Sequence, residues 1–380
     1  MRHWFRAPLA LLAFFALIAA ACGSDAAEPA ADAGEATSAA QASESPAGEA
    51  PTVAVTTNIL GDVVEQMVGE FVEVVTIMPV GADPHDFQAS AQQVAQIGDA
   101  AVLIVNGADF EEGLTDVIES AEADGTPVYE AMSTVSTIEF GEGGHDHDKH
   151  GDEDHDDDEH GDEDHDDDEH DDEDHDDEHD EDHDEDHDDE QGDEDHDGHD
   201  HEGADPHFFT DPARMAVAAQ GIADYLVANL DGVDADAMAA SASAYIDELE
   251  ALDAEVAETL AGLSDEQRVL VTNHEVFGYF ADRYDFEVVG TVIPGGSTTD
   301  GASAQALAEL ADIVRDEGVP AIFADTSSSN ELAQTLADEV GDIKVIELYS
   351  ESLGDADSDG ATYVDMVRSN AAQIAAALGG

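Results

Sequence analysis

Eight short runs of β-branched and apolar residues, in two sets of four separated by a tract with nothing apolar in it, restrict this chain to an α/β build. The first set is Thr52-Val53-Ala54-Val55-Thr56, Val72-Glu73-Val74-Val75-Thr76-Ile77, Ala101-Val102-Leu103-Ile104-Val105 and Pro127-Val128-Tyr129. The second is Val269-Leu270-Val271-Thr272, Phe286-Glu287-Val288-Val289, Ala321-Ile322-Phe323 and Lys344-Val345-Ile346-Glu347-Leu348. Helical patterns alternate with these runs, and that alternation is the signature of parallel sheets. Between the sets, Tyr245, Leu249, Leu252, Val256 and Leu263 recur at helical steps, with Asp234 and Asp236 at one end and Gly262 at the other. They predict one amphipathic helix from about Ala235 to Ala261, about 40 Å long at 1.5 Å per residue. The expected fold is therefore two parallel-sheet lobes joined by a long, rigid backbone helix. The N-terminal lobe is placed at residues 51–233, the helix at 234–263 and the C-terminal lobe at 264–380.

The first 21 residues carry a different message. Arg2, His3 and Arg6 precede an apolar run from Ala7 to Ala21, too short to span a bilayer and built like a secretory signal. The run ends in small residues directly before Cys22, the only cysteine in the chain. That junction resembles a bacterial lipoprotein signal, in which Cys22 becomes the lipidated N-terminus; the alternative is an ordinary secretory signal. Residues 22–50 are rich in Ala, Ser, Glu, Gly and Pro without apolar periodicity, and read as a flexible tether that leaves the folded body outside the cytoplasmic membrane. A lone cysteine allows no intramolecular disulfide and no thiolate cluster, so any metal site must use His and carboxylate. With 9 Lys and Arg against 95 Asp and Glu, the net charge of -86 excludes a nucleic-acid partner.

The 18 histidines divide sharply. Besides His3, fourteen lie in the tract: His145, His147, His150, His155, His160, His165, His170, His175, His179, His183, His187, His196, His199 and His201. Only His85, His207 and His274 belong to the body. His85 and His207 each end an Ala-Asp-Pro-His tetrapeptide, His274 follows the fifth strand directly, and Asp325 follows the seventh. Ligands in open parallel sheets bind beyond the carboxyl ends of the strands. Three imidazoles and one carboxylate, two from each lobe, form a four-coordinate donor set suited to Zn²⁺ in the interlobe cleft. Asp83 and Asp205, two residues before their histidines, either accept the second ring hydrogen or simply form Asp-Pro turns.

These segments carry a specific resemblance. Thr56-Thr57-Asn58-Ile59-Leu60-Gly61-Asp62, Gly81 to Phe87, Asp205 to Pro212, His274-Glu275-Val276-Phe277-Gly278-Tyr279-Phe280 and Tyr349 to Tyr363 occur in the order found in metal-specific solute-binding proteins of bacterial ABC importers. The chain resembles that family over nearly all of residues 51–380. The resemblance implies a metal in the cleft and delivery to a permease with its cytoplasmic ATPase. The protein would be a monomer, attached to the membrane through its lipid anchor, and not an enzyme. It assigns His85, His207, His274 and Asp325 as ligands. Histidine at the third position and a loop rich in His and acids are zinc-type features, so Zn²⁺ is favoured over Mn²⁺. The chain departs from zinc relatives in having Asp325 where Glu is common, and it lacks the second-lobe cysteines that some members pair.

The tract, placed at residues 142–203, contains the repeat Gly-Asp-Glu-Asp-His-Asp-Asp-Asp-Glu-His at 151–160 and again at 161–170. With nothing apolar to bury it is expected to be disordered. Its histidines form an accessory zinc collector, or the tract is a solvated, self-repelling loop. Three rival functions remain at this level. A zinc hydrolase would need an open coordination position, and no His-Glu-x-x-His or Gly-x-Ser-x-Gly supports one. A surface adhesin lipoprotein would not depend on the three body histidines for host binding. A pure zinc buffer would lose tight binding with the tract. A manganese-binding homologue is the alternative within the family.

Overall fold

The computed structural model describes residues 50–141, 203–299, 301–341 and 343–379. The signal segment, Cys22, the tether to residue 49 and all fourteen tract histidines lie outside the described residues. The first lobe has strands β1 (Thr52–Val55), β2 (Glu73–Thr76), β3 (Val102–Val105) and β4 (Val128–Glu130), alternating with helices α1 (Asn58–Val68), α2 (Ala91–Asp99) and α3 (Thr115–Asp124). Its sheet is parallel throughout, in the order β2-β1-β3-β4. Helix α4 (Pro212–Asn229) follows the tract, and α5 (Ala235–Leu260) follows α4.

The second lobe repeats the plan. Strands β5 (Val269–Thr272), β6 (Glu287–Thr291), β7 (Ala321–Asp325) and β8 (Lys344–Leu348) alternate with α6 (Gly278–Tyr284), α7 (Ala304–Glu317) and α8 (Glu331–Val340). They form a parallel sheet in the order β6-β5-β7-β8, equivalent to that of the first lobe. In both sheets the chain reverses its winding beside the first strand, and the crevice at that switch point, beyond the strand ends, is where α/β sheets bind ligands.

Local chemistry explains the elements. Buried Val102, Leu103, Ile104 and Val105 make β3 a continuous apolar run, as a strand covered on both faces requires. Thr57, Asp211, Asp234 and Thr362 cap helix N-termini with side-chain oxygens that accept backbone N–H groups. Gly61 lets α1 lie directly on β2, since a Cβ there would collide with the Thr76 side chain. The 26 residues of α5 bury Met238, Ala242, Tyr245, Ile246, Leu249, Leu252, Val256 and Leu260 along one stripe. At about 39 Å it matches the length expected from the sequence.

The last helix, α9 (Tyr363–Leu378), packs on α5 and touches α1 of the first lobe. The Tyr363 N–H donates to Asp62 Oδ2 at 2.8 Å and its hydroxyl donates to the Phe209 carbonyl at 2.8 Å. One apolar core runs from Val53 and Ile104 through α4, α5 and α9 to Leu270 and Phe323, so both lobes share it. Each lobe keeps a smaller second cluster on the far face of its sheet. Among the described residues no helix is long and apolar enough to cross a membrane.

Candidate metal centre

Each lobe contributes loops from the carboxyl ends of its strands. His85 lies in the loop after β2, where Asp83 Oδ1 accepts its backbone N–H at 3.0 Å. His207 lies beyond β4 and repeats that turn, with Asp205 Oδ1 accepting the His207 N–H at 2.9 Å. His274 follows β5, and its carbonyl accepts the Thr272 hydroxyl at 2.7 Å and the Val276 N–H at 2.9 Å. Glu351 follows β8. Asn370 of α9 holds the start of its loop, accepting the Tyr349 N–H at 3.0 Å and donating to the Tyr349 carbonyl at 2.7 Å.

His85, His207, His274 and Glu351 come together with one potential ligand atom each, all within 4.8 Å of one another, and all four are buried. The three Nε2 atoms converge on Glu351 Oε1, at 2.7 Å from His85, 3.1 Å from His274 and 3.5 Å from His207. His207 Nε2 is fully buried with no hydrogen-bond partner, a state that buried polar atoms rarely tolerate unless a cation or water satisfies them. Phe110 stands edge-on to both His85 and His207, and Phe209 flanks His207, so these two imidazoles pack against aromatic rings.

Carboxylates behind the imidazoles orient them. Asp205 Oδ1 lies 2.7 Å from His207 Nδ1, and Glu112 Oε1 lies 2.9 Å from His85 Nδ1. Each accepts the Nδ1 hydrogen, so that Nε2 faces the centre, and each adds negative charge behind its ring. The two aspartates of the repeated tetrapeptide thus divide: Asp205 does both jobs, whereas Asp83 holds only the backbone and turns its other oxygen to the Thr298 hydroxyl at 2.6 Å. Gly278 at the start of α6 makes room for Asp205, whose Oδ2 would lie 2.6 Å from a Cβ there. His274 differs, having no hydrogen-bond partner at Nδ1.

The charges are strongly coupled. Burial alone would lower the pKa of His85, but the charge of Glu351 and the hydrogen bonds that its ring donates to Glu112 and Glu351 raise it to about 10. His207 is raised against its burial by Asp205 and then Glu351. Burial would raise Glu351, yet the charges of His274 and His85 hold it well below the ordinary carboxylate value. These are the shifts expected where three imidazoles face one carboxylate.

The carboxylate in the group is Glu351, where the sequence pointed to Asp325. Asp325 ends β7 and is buried, but both its oxygens serve Ser327: Oδ1 accepts the Ser327 N–H at 2.8 Å and Oδ2 its hydroxyl at 2.7 Å. Burial, and then the charge of nearby Glu351, raise Asp325 well above the usual carboxylate range. Strand register places Asp325 level with Leu348, so Glu351 reaches past it from three residues further on. The signal was present: Glu351 follows the last strand as His274 follows the fifth, and it lies within the quoted segment Tyr349 to Tyr363.

Comparison with known proteins identifies the family and the fold. The family model described as zinc-uptake complex component A periplasmic (ZnuA) matches residues 53–377. The manganese-binding lipoprotein MntA of Halalkalibacterium halodurans is 24% identical over 355 residues, covering 93% of this chain and 92% of that protein. The zinc-binding protein TroA of Treponema pallidum is 27% identical over 341 residues, covering 86% of this chain and 89% of TroA. The solved structure of periplasmic TroA superimposes with a TM-score of 0.67 at 26% identity, over 87% of this chain and 99% of that one. With two parallel four-stranded lobes, a buried group of metal-ligating side chains at their strand ends and a family match across the whole body, the chain belongs to the ZnuA family, the metal-binding, non-enzymatic solute-binding proteins of ABC importers.

Proposed function

We propose that this protein captures Zn²⁺ outside the cytoplasmic membrane through His85, His207, His274 and Glu351 and hands it to an importer permease driven by a cytoplasmic ATPase. The observation that carries this reading is the donor set: three buried imidazoles and one carboxylate, two side chains from each lobe, within 4.8 Å. Nitrogen-rich four-coordinate sites suit Zn²⁺, whereas Mn²⁺ prefers more oxygen ligands. The relatives are named for both metals, zinc for TroA and manganese for MntA, so the preference rests on the donor chemistry and on the His-rich tract. Cys22 serves as the lipid-bearing N-terminus, residues 22–50 as the tether, and the monomer is the working unit, with lobes at 51–233 and 264–380 about the helix at 234–263. The tract histidines act as an accessory collector of low affinity.

Competitive titration of the full chain with Zn²⁺ and Mn²⁺, beside His274→Ala and Glu351→Ala, tests the reading. One tight site that prefers zinc and is lost in both variants is expected. Tight binding that survives in both, or a site that prefers manganese, overturns it.

A further inference from the structure

The loops bearing His85 and Glu351 come from different lobes, and a hydrogen-bonded pair that takes no part in the ligand group ties them together. Asn58, the first residue of α1, is buried at the end of β1. Its Nδ2 donates to the Pro79 carbonyl at 3.2 Å, in the loop that leads to His85, and to Ser352 Oγ at 3.1 Å. Its Oδ1 accepts the Leu353 N–H at 2.8 Å. Ser352, next to Glu351 and 1% exposed, also accepts the Gly81 N–H at 2.7 Å. Two buried side chains, Asn58 and Ser352, therefore link the backbone of the exposed Pro79 and Gly81 to Leu353 in one network that adjoins a ligand in each lobe.

We infer that Asn58 and Ser352 are positioning residues that fix the reach from His85 to Glu351 across the lobes, and so set how slowly the metal escapes and how strongly a small cation is preferred. The inference rests on the ligand assignment proposed above. A ligand pair locked at one separation favours an ion with short bonds, about 2.0–2.2 Å to nitrogen and oxygen for Zn²⁺. A pair free to spread accommodates a larger ion with additional water. Holding the ligands in place before the ion arrives also removes the ordering cost that would weaken binding.

The full chain is loaded with one equivalent of Zn²⁺ and its transfer to an excess of chelator is timed for the parent, Ser352→Ala, Asn58→Ala and the double variant. The Zn²⁺:Mn²⁺ affinity ratio and the melting temperature of the metal-free proteins are measured alongside. Release is expected to accelerate about 10- to 100-fold, the usual effect of removing groups that support metal ligands. The zinc preference should fall, and the double variant should resemble either single one because the two residues act as a unit. Release rates and metal ratios equal to the parent, with or without a lower melting temperature, overturn the inference, as do single effects that multiply in the double variant. Should Asn58→Ala not fold, Ser352→Ala, which removes one oxygen, decides alone by the same criteria. Glu351→Ala and His85→Ala serve as controls. Tight binding retained in both overturns the ligand assignment and this inference with it, whereas binding lost in both while Ser352→Ala behaves as the parent overturns the positioning role alone.

Discussion

Asp205 grips His207 twice with a single oxygen, Oδ1, which accepts the backbone N–H at 2.9 Å and lies 2.7 Å from the ring Nδ1. The Tyr279 hydroxyl from the other lobe donates to the Asp205 carbonyl at 2.7 Å, so the grip is itself anchored across the cleft. Replacing Asp205 with Ala should weaken metal binding about 10- to 100-fold. Asp83→Ala should have a smaller effect, because Glu112 rather than Asp83 holds the His85 ring. Competitive titration of both variants checks the order, and equal losses would contradict it.

Protons and metal compete for the same atoms. The raised pKa of His85, about 10 against an ordinary 6.5, stabilises the metal-free fold fully below 6.5 and progressively less as pH rises towards 10. The depressed pKa of Glu351 stabilises it above the ordinary 4.5, and that contribution is lost in acid. The metal-free protein should therefore lose part of its stability between pH 6.5 and 10. Zinc binding at pH 7 must displace the His85 proton, so affinity should climb about tenfold per pH unit for each proton released. Calorimetry in two buffers of different ionisation enthalpy measures that release, and affinity independent of pH would refute it.

Glu351 and Asp325 are hydrogen-bonded to each other, but only Glu351 belongs to the group that the three imidazoles face. Glu351→Gln should reduce zinc affinity by about 100-fold or more, since it removes the charge that the three imidazoles face. Asp325→Asn should cost less than tenfold, because Asp325 lies outside the ligand group and Asn can still bond both Ser327 and Glu351. Isothermal titration of the two variants distinguishes them, and a larger loss in Asp325→Asn would restore Asp325 to the ligand set.

Deletion of residues 145–201 should leave the buried site within about threefold of its original affinity. Glu139 and Ala204 already pair as an antiparallel bridge, and the Asp205 N–H donates to the Ile138 carbonyl at 2.9 Å, so the tract leaves and returns at one place. Closing a shorter loop there costs little entropy. Loss of the tight site on deletion would move the function into the tract.

The two sheets, the long helix and the three histidines were legible because each rests on a local pattern. β-branched runs with helical spacing mark the strands, and a ligating side chain just past a strand end marks a crevice. The fourth member was less legible for a physical reason. Asp325 and Glu351 both follow strands of the same sheet, and only the registration of β7 with β8, together with the Ser327 turn that engages both oxygens of Asp325, separates them. Glu112 as the partner of His85 was equally hidden, because that contact joins residues 27 apart through the packing of two loops. Asn58 and Ser352 meet across a separation of 294 residues, which no periodicity announces.

The apolar core that passes without a break from Val53 to Phe323 bears on how this molecule comes apart. Lobes with separate cores could melt one after the other, leaving a half-denatured chain with an exposed sheet. Here α4, α5 and α9 belong to both, so denaturation should proceed as one cooperative event. An ion bound by side chains of both lobes should then protect the strands of both sheets together, raising a single melting transition rather than one of two.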